Sequence, residues 1–407
     1  MTSLDEVFDR FLSGGGIFKN REVLCHDYVP EKLPHREEEI EYLGSTMAPV
    51  LKGYRCSNLF IYGKTGTGKT AVVRYVLKHL MKKAEELNAP VSTCYVNCRL
   101  AGTEYRVLSS LCSSVGVKVP FTGLAQSEVF QRFLKGLEKK GGVLLAVLDE
   151  IDVLVKAYGD TLLYDLTRIN GELSNSKVSL IGISNDLRFK DMLDPRVLSS
   201  LSEEEMVFRP YNAAELRDIL EERAKLAFHD GVLADGVIGL CAALAAAEHG
   251  DARRSLDLLR VAAELAEREG ASKVEERHVR EAEKRIERDR IEEVIRNLPL
   301  HSKLVLCSVY LLNRKVSTVA TGDIYNVYCE LCNQIGLEPL TQRRVSGLIS
   351  EQDMLGLLNS RVVSMGRHGR TKKTRLAIPR STVKAIFMED EQLKELVAYT
   401  PACLLKA

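Results

Sequence analysis

The chain has 407 residues, 45% of them hydrophobic and 28% charged, which predicts two or three folded units and excludes a disordered, fibrous or disulfide-dense chain. Its formal net charge of +1 is uneven: from Pro299 onward 15 Lys and Arg face 9 Asp and Glu, a balance of +6 that leaves −5 for the first 298 residues. An anionic partner is therefore expected at the C-terminal part.

Met1 to Arg10 carries three acidic residues with no hydrophobic block after it, so no secretory leader is expected. Uncharged tracts such as Gly236 to Ala247 fall well short of the roughly 18 to 20 residues of a membrane span. Ten cysteines lie scattered along the chain. That fits a reducing compartment, so the expected location is cytoplasmic and nucleoid-associated, without a membrane partner.

Between Ser57 and about Phe208 the short apolar runs Asn58 to Tyr62, Val91 to Val96, Val143 to Leu148 and Val178 to Ser184 alternate with helix-length amphipathic segments. Strands apolar on both faces at that spacing predict an α/β domain with a parallel sheet. After Arg209-Pro210 only helices are predicted: Ala213 to Ala227, Ala234 to Glu248, Ala252 to Glu269, and Glu275 to about Asn297, punctuated by Gly231, Gly250 and Gly270. The last of these interleaves both signs of charge and reads as a solvated connecting helix.

Beyond Pro299 the pattern predicts helices at Ser302 to Leu312, Thr321 to Ile335 and Thr341 to about Asp353. Thr341 is a plausible N-cap. Val345, Leu348 and Ile349 form a buried stripe, which leaves Gln342, Arg343, Ser346 and Ser350 outward. Strands follow at Leu357 to Ser364 and Thr374 to Ile378, around the basic turn from Gly366 to Lys373. Three helices and a hairpin make a winged helix. The predicted architecture is thus a base domain at 1–209, a helical lid at 210–296 and a winged-helix domain at 297–407.

The strongest chemical signal is the segment Gly63, Lys64, Thr65, Gly66, Thr67, Gly68, Lys69, Thr70, which follows one predicted strand and opens a helix. It matches the P-loop pattern in full. Backbone N–H groups there face phosphates, Lys69 neutralises the β and γ phosphates, and the Thr70 hydroxyl ligates Mg²⁺. The run Val143 to Leu148 ends in Asp149 and Glu150. Asp149 is expected to hold Mg²⁺ through water, and Glu150 to polarise the attacking water. At the end of the next strand Asn185 offers an amide to the γ-phosphate or that water.

This order of elements resembles the AAA+ ATPases, and more narrowly the archaeal origin-recognition and cell-division-control type replication initiators. The narrower likeness rests on Tyr28-Val29-Pro30, Pro34 to Glu38, Asp194 to Val197, Phe208 to Tyr211, Gly250 to Arg254 and the winged-helix end. It implies that Asn185 is the sensor 1 residue and Arg253 the sensor 2 arginine. Tyr211 and Arg223 are then further nucleotide contacts, and Tyr28, Val29 and Pro30 line the adenine side. Arg36 and Glu37 are expected to brace that wall. Arg196 resembles the arginine finger that completes a neighbouring subunit's ATP site; alone it reads as a surface loop arginine.

Between Asp353 and Glu389 lie eight Lys or Arg and no acidic residue. Arg367, Arg370, Lys372 and Lys373 fall in or beside the hairpin turn, from which a wing reaches a minor groove while the preceding helix meets the major groove. Gln342, Arg343 and Ser346 are expected to read base edges and Arg344 to hold a phosphate. The family's DNA-touching ATPase insert corresponds to Val119 to Phe130, whose only charge is Glu128. Cys329 and Cys332 have CxxC spacing without a second pair, so core packing is the expected reading.

The function these readings imply is ATP-dependent binding of duplex origin DNA and recruitment of the replicative helicase, with slow hydrolysis of ATP to ADP as a switch. Mg²⁺ is the implied metal, and paralogous initiator subunits are possible partners. The alternative is an energy-transducing remodeller or clamp-loader-like motor whose winged helix binds protein.

Overall fold

Five strands assemble into one parallel sheet in the computed structural model, which describes residues 16–25, 28, 30–201, 203–364 and 370–405. In chain order its elements begin with α1 (Glu37–Met47), β1 (Leu59–Gly63), α2 (Lys69–Glu86) and β2 (Val91–Asn97). The short α3 (Cys98–Ala101), α4 (Glu104–Ser114) and α5 (Gln126–Lys140) lead to β3 (Gly142–Asp149). Then come α6 (Ile151–Tyr158), α7 (Thr161–Arg168), β4 (Ser176–Ser184), α8 (Pro195–Leu201) and β5 (Glu204–Phe208).

The strand order is β2-β3-β4-β1-β5. β3 and β4 sit inside the sheet and are buried along nearly their whole length. Alternate residues feed the two faces. Phe60, Leu144, Ala146, Leu148 and Leu180 pack with Leu108, Phe133 and Leu166; Leu59, Ile61, Leu145, Val147 and Ile181 pack with Val72, Val73 and Leu77. Doubly covered strands need this continuous apolar character. β5 is the edge strand that the sequence pattern does not announce, because Glu204 and Glu205 open it and pair with Tyr42 and Lys190 side chains.

Helices alone follow: α9 (Ala213–Ala227), α10 (Val237–Ala247), α11 (Ala252–Glu269) and α12 (Glu276–Asn297). A reciprocal capping box between Asn212 and Glu215 starts α9, and Asp251 caps α11 by accepting from the Arg253 and Arg254 N–H groups. α10 is shorter than the expected Ala234 to Glu248. The Ala234 N–H is given to the Val274 carbonyl, and Gly236 adopts φ +87° just before the helix.

The chain divides into two compact units, the first ending at Ala282 and the second beginning at Glu283, within α12. The second unit contains α13 (Leu300–Leu312), β6 (Val319–Ala320), α14 (Thr321–Gln334), α15 (Gln342–Met354), β7 (Leu358–Ser364), β8 (Arg370–Leu376) and α16 (Arg380–Glu389). Its antiparallel sheet has the order β6-β8-β7. Val345, Leu348 and Ile349 of α15 are buried against α13 and α14 residues such as Leu304 and Val327.

The basic hairpin differs from expectation in one respect. β8 begins at Arg370 rather than Thr374, so Arg370, Lys372 and Lys373 are strand residues paired with Ser364, Val362 and Arg361. Among the described side chains of this run only Thr374 is fully buried, which hides the usual apolar alternation. Among the described residues no helix is long and apolar enough to cross a membrane.

Candidate functional site

The turn between β1 and α2 is built on glycines that no other residue replaces freely. Gly66 and Gly68 have φ of +70° and +91°, and a Cβ on Gly66 would lie 1.7 Å from Asp251 Oδ1. Lys69, 4% exposed, turns its ammonium back to donate to the Gly63 and Lys64 carbonyls at 2.8 and 2.6 Å. Burial lowers its pKa to about 8. A cation this desolvated, at the head of a helix whose N–H groups face the same space, fits a polyphosphate anion.

Asp149 ends β3 and is 3% exposed. Its Oδ2 accepts from Thr70 Oγ1 at 2.8 Å and from Tyr95 Oη at 2.5 Å, while Oδ1 accepts the Glu150 N–H at 2.9 Å. Glu150 sits in the left-handed region, φ 53° and ψ 43°, a costly conformation for a residue with a Cβ and one often met at functional sites. Its Oε2 is buried with no hydrogen-bond partner among the described residues, and Arg99 Nη1 lies 3.6 Å away. The Thr70 hydroxyl and the Asp149 carboxylate, with Glu150 on the same cavity wall, form a hard-oxygen donor set that suits Mg²⁺ and its waters.

In the first turn of α6, Asp152 Oδ1 accepts from Ser184 Oγ at 3.1 Å and from the Asn185 N–H at 3.4 Å. This fixes the end of β4, so that Asn185 faces the same cavity as Asp149 and Glu150. The lid closes another side. The Ala252 N–H donates to the Gly66 carbonyl at 3.1 Å and the Tyr211 N–H to the Gly250 carbonyl at 3.2 Å. Arg253, exposed, lines the cavity.

Arg36 is fully buried and braces the wall. Its guanidinium donates to the carbonyls of Thr67 and Arg209, pairs with Glu39 at 3.0 Å, and lies over the Tyr211 ring at 3.9 Å. Glu37 instead accepts the His35 N–H. At the far end Arg223 donates to the Val23 carbonyl at 3.2 Å and stacks on Tyr28 at 4.7 Å; burial lowers its pKa.

The cavity that results has a volume of about 550 Å³. Of the residues expected to contact nucleotide, Tyr28, Pro30, Thr65, Gly66, Thr67, Gly68, Lys69, Thr70, Tyr211, Arg223 and Arg253 line it together with Asp149, Glu150 and Asn185. Gly63 and Lys64 stand behind it, where their carbonyls hold Lys69. Val29 lies outside the described residues. Arg196 is on α8, two-thirds exposed, and forms a bidentate pair with Asp194 at 3.0 and 3.1 Å; it is not part of the cavity wall.

Tyr95 and Asp152 are absent from the sequence reading, and Asp251 enters it only as part of the Gly250 to Arg254 motif. Asp152 has a signal, three residues after Asp149 on the helix that follows. For Tyr95 there is none, because its hydroxyl meets Asp149 only through the pairing of β2 with β3.

In the second unit Gln342 and Arg343 of α15 are exposed and Ser346 is half-buried. Arg344 pairs with Glu351 at 3.0 Å, one heptad along the same helix. Lys373 is exposed, whereas the Lys372 ammonium donates to Ser350 Oγ and so ties β8 to α15. Arg367 and the Arg370 side chain lie outside the described residues. Cys329 is half-buried and Cys332 buried. Among the described residues neither belongs to a cluster of metal-ligating side chains.

Three family models match the chain: an AAA domain over residues 52–190, a Cdc6 AAA+ ATPase-type lid domain over 217–284, and the CDC6 C-terminal winged helix domain over 293–386. The ORC1-type DNA replication protein of Thermococcus onnurineus is 56% identical over 399 residues, 97% of this chain and 96% of that protein. That of Archaeoglobus fulgidus is 53% identical over 390 residues, 96% and 95%. The structure of the Aeropyrum pernix ORC1 protein in complex with DNA superposes with a TM-score of 0.85 at 53% identity, covering 93% of this chain and 99% of that one. Likeness of this extent across all three segments establishes the family: the chain belongs to the archaeal ORC1/Cdc6-type DNA replication initiators of the AAA+ ATPase superfamily.

Proposed function

We propose that this protein binds ATP with Mg²⁺, recognises duplex DNA at replication origins through its winged helix, and helps recruit the replicative helicase, with slow hydrolysis to ADP as a switch. The observation that carries the nucleotide half is the convergence of Lys69, Thr70, Asp149, Glu150, Asn185 and Arg253 on one cavity. Support for the DNA half is the 53% identical Aeropyrum relative, whose structure is a complex with DNA, together with the exposed Gln342 and Arg343 and the basic run along β8.

In this reading the ammonium of Lys69 leaves the Gly63 and Lys64 carbonyls for the β and γ phosphates. Bound Mg²⁺ would be held by Thr70 and Asp149 and would supply charge neutralisation on the phosphate oxygens. Glu150 accepts a proton from the attacking water. Asn185 and Arg253 contact the γ-phosphate, so loss of that group changes what the lid feels. Tyr28 and Pro30 flank adenine. Arg196 acts on a neighbouring subunit, a paralogue or a second copy. The working division is a base to 209, a lid to 296 and the winged helix beyond.

A switch and a motor separate on one variant. Glu150→Gln removes the base and should bring turnover to background while leaving DNA affinity with ATP at the wild-type value. A parallel loss of DNA binding would favour the motor reading, in which turnover is the output.

A further inference from the structure

We infer that Tyr95 is a positioning residue for the metal-side carboxylate: its hydroxyl, reaching across from β2, holds Asp149 in the orientation that cation binding requires. The inference deepens the nucleotide and Mg²⁺ reading above and rests on it.

A carboxylate at the end of a strand turns readily about its Cβ–Cγ bond, for which the torsional wells are broad. Three donors stop Asp149 from turning: the Glu150 N–H on Oδ1, and the Thr70 and Tyr95 hydroxyls on Oδ2. Thr70 belongs to the loop and helix that receive the phosphates, and Glu150 is in strained backbone. Tyr95 alone comes from a strand interior. It pairs with Val147, two residue pairs before Asn97 and Asp149, so its ring and the Asp149 side chain share one face of the sheet.

The ring is itself clamped. Arg74, four residues after Thr70 on α2, lies over it with the guanidinium carbon 4.4 Å from the centroid. A phenol has only two torsions to fix, and here stacking on one side and the sheet on the other fix both. The resulting O–H to carboxylate bond, at 2.5 Å, is a short charge-assisted contact. Partners that orient metal-side carboxylates typically carry 10- to 100-fold in metal affinity or activity, on the order of what the ligands' own orientation is worth.

The test uses the full-length protein and fluorescent ADP, titrated first without divalent cation and then with MgCl₂ at fixed nucleotide. Tyr95→Phe keeps the ring and its stack and removes the hydroxyl. The expected result is a rise of about tenfold in the Mg²⁺ concentration at half-effect, with metal-free ADP affinity unchanged. In an Asp149→Asn background the same substitution should add nothing, because it acts through that carboxylate. An unchanged Mg²⁺ midpoint overturns the inference. So does an equal loss of metal-free ADP affinity, which would make Tyr95 a general wall residue. Wild-type protein that binds ADP with no Mg²⁺ dependence would overturn the metal reading itself, and the inference with it.

Discussion

The guanidinium of Arg36 donates twice to the Thr67 carbonyl, at 3.1 and 2.9 Å, and once to that of Arg209 at 2.7 Å. One buried side chain thereby ties the phosphate loop to the stretch where the base gives way to the lid. Arg36→Ala would leave these carbonyls and the partly buried Glu39 without their donor, which should cost about 2 to 4 kcal/mol. Arg36→Lys keeps charge but has no planar fork, so it should recover part of the stability and little of the ADP affinity. Denaturant melts and ADP titrations of both variants check this.

Lys69 gives the site a pH dependence of definite sign. Burial lowers its pKa to about 8 in the nucleotide-free protein, from an ordinary 10.5, and a bound polyphosphate favours the charged form and raises it again. Nucleotide binding should therefore take up a proton, and ADP affinity should fall as pH rises through about 8. Folding has the opposite trend. Between about 8 and 10.5 the unfolded chain holds a proton that the folded chain has lost, so this group makes stability rise with pH there. Calorimetric titration in two buffers of different ionisation heat at pH 8.5 reads the proton uptake directly.

Asp152 acts on Asn185 through the backbone, since its Oδ1 accepts both Ser184 Oγ and the Asn185 N–H. Asp152→Ala should leave ADP binding within about twofold, since the phosphate loop is untouched, and lower turnover by roughly 10- to 100-fold through misplacement of the amide. Unequal effects on binding and turnover, measured on the same preparation, are the signature; equal losses would point to a collapsed cavity.

On the DNA side, Arg343 is exposed and unencumbered by the Glu351 pairing that occupies Arg344. Arg343→Ala should cost about 1 to 3 kcal/mol on a cognate duplex and less on a scrambled one. Lys373→Ala should weaken both alike and lower the salt slope of binding by about one. Affinity measured across a salt series distinguishes the two roles.

Much of this was legible before any coordinates because the informative residues are local. The phosphate loop, the Asp149-Glu150 pair and the cap at Thr341 are each decided within about eight residues. The α15 stripe of Val345, Leu348 and Ile349 shows the same local logic. What sequence could not reveal is contact across strands and domains. Tyr95 meets Asp149 through sheet register, and Arg36 meets Thr67 and Arg209 from 31 and 173 residues away. β5 escaped for a different reason: as an edge strand it carries two glutamates that find tyrosine and lysine partners, so it lacks the apolar run of its neighbours. β8 is expected only from Thr374, because Arg370 to Lys373 contain no apolar residue to mark its earlier start.

The most direct test of the central claim is a fluorescence-anisotropy titration of the purified protein with origin-region and scrambled duplexes, with ADP and with an ATP analogue, at two salt concentrations. The predicted result is tighter binding to the origin duplex, most of it lost in an Arg343→Ala, Lys373→Ala double variant. Equal affinity for both duplexes, unaffected by that pair of substitutions, would contradict origin recognition by the winged helix.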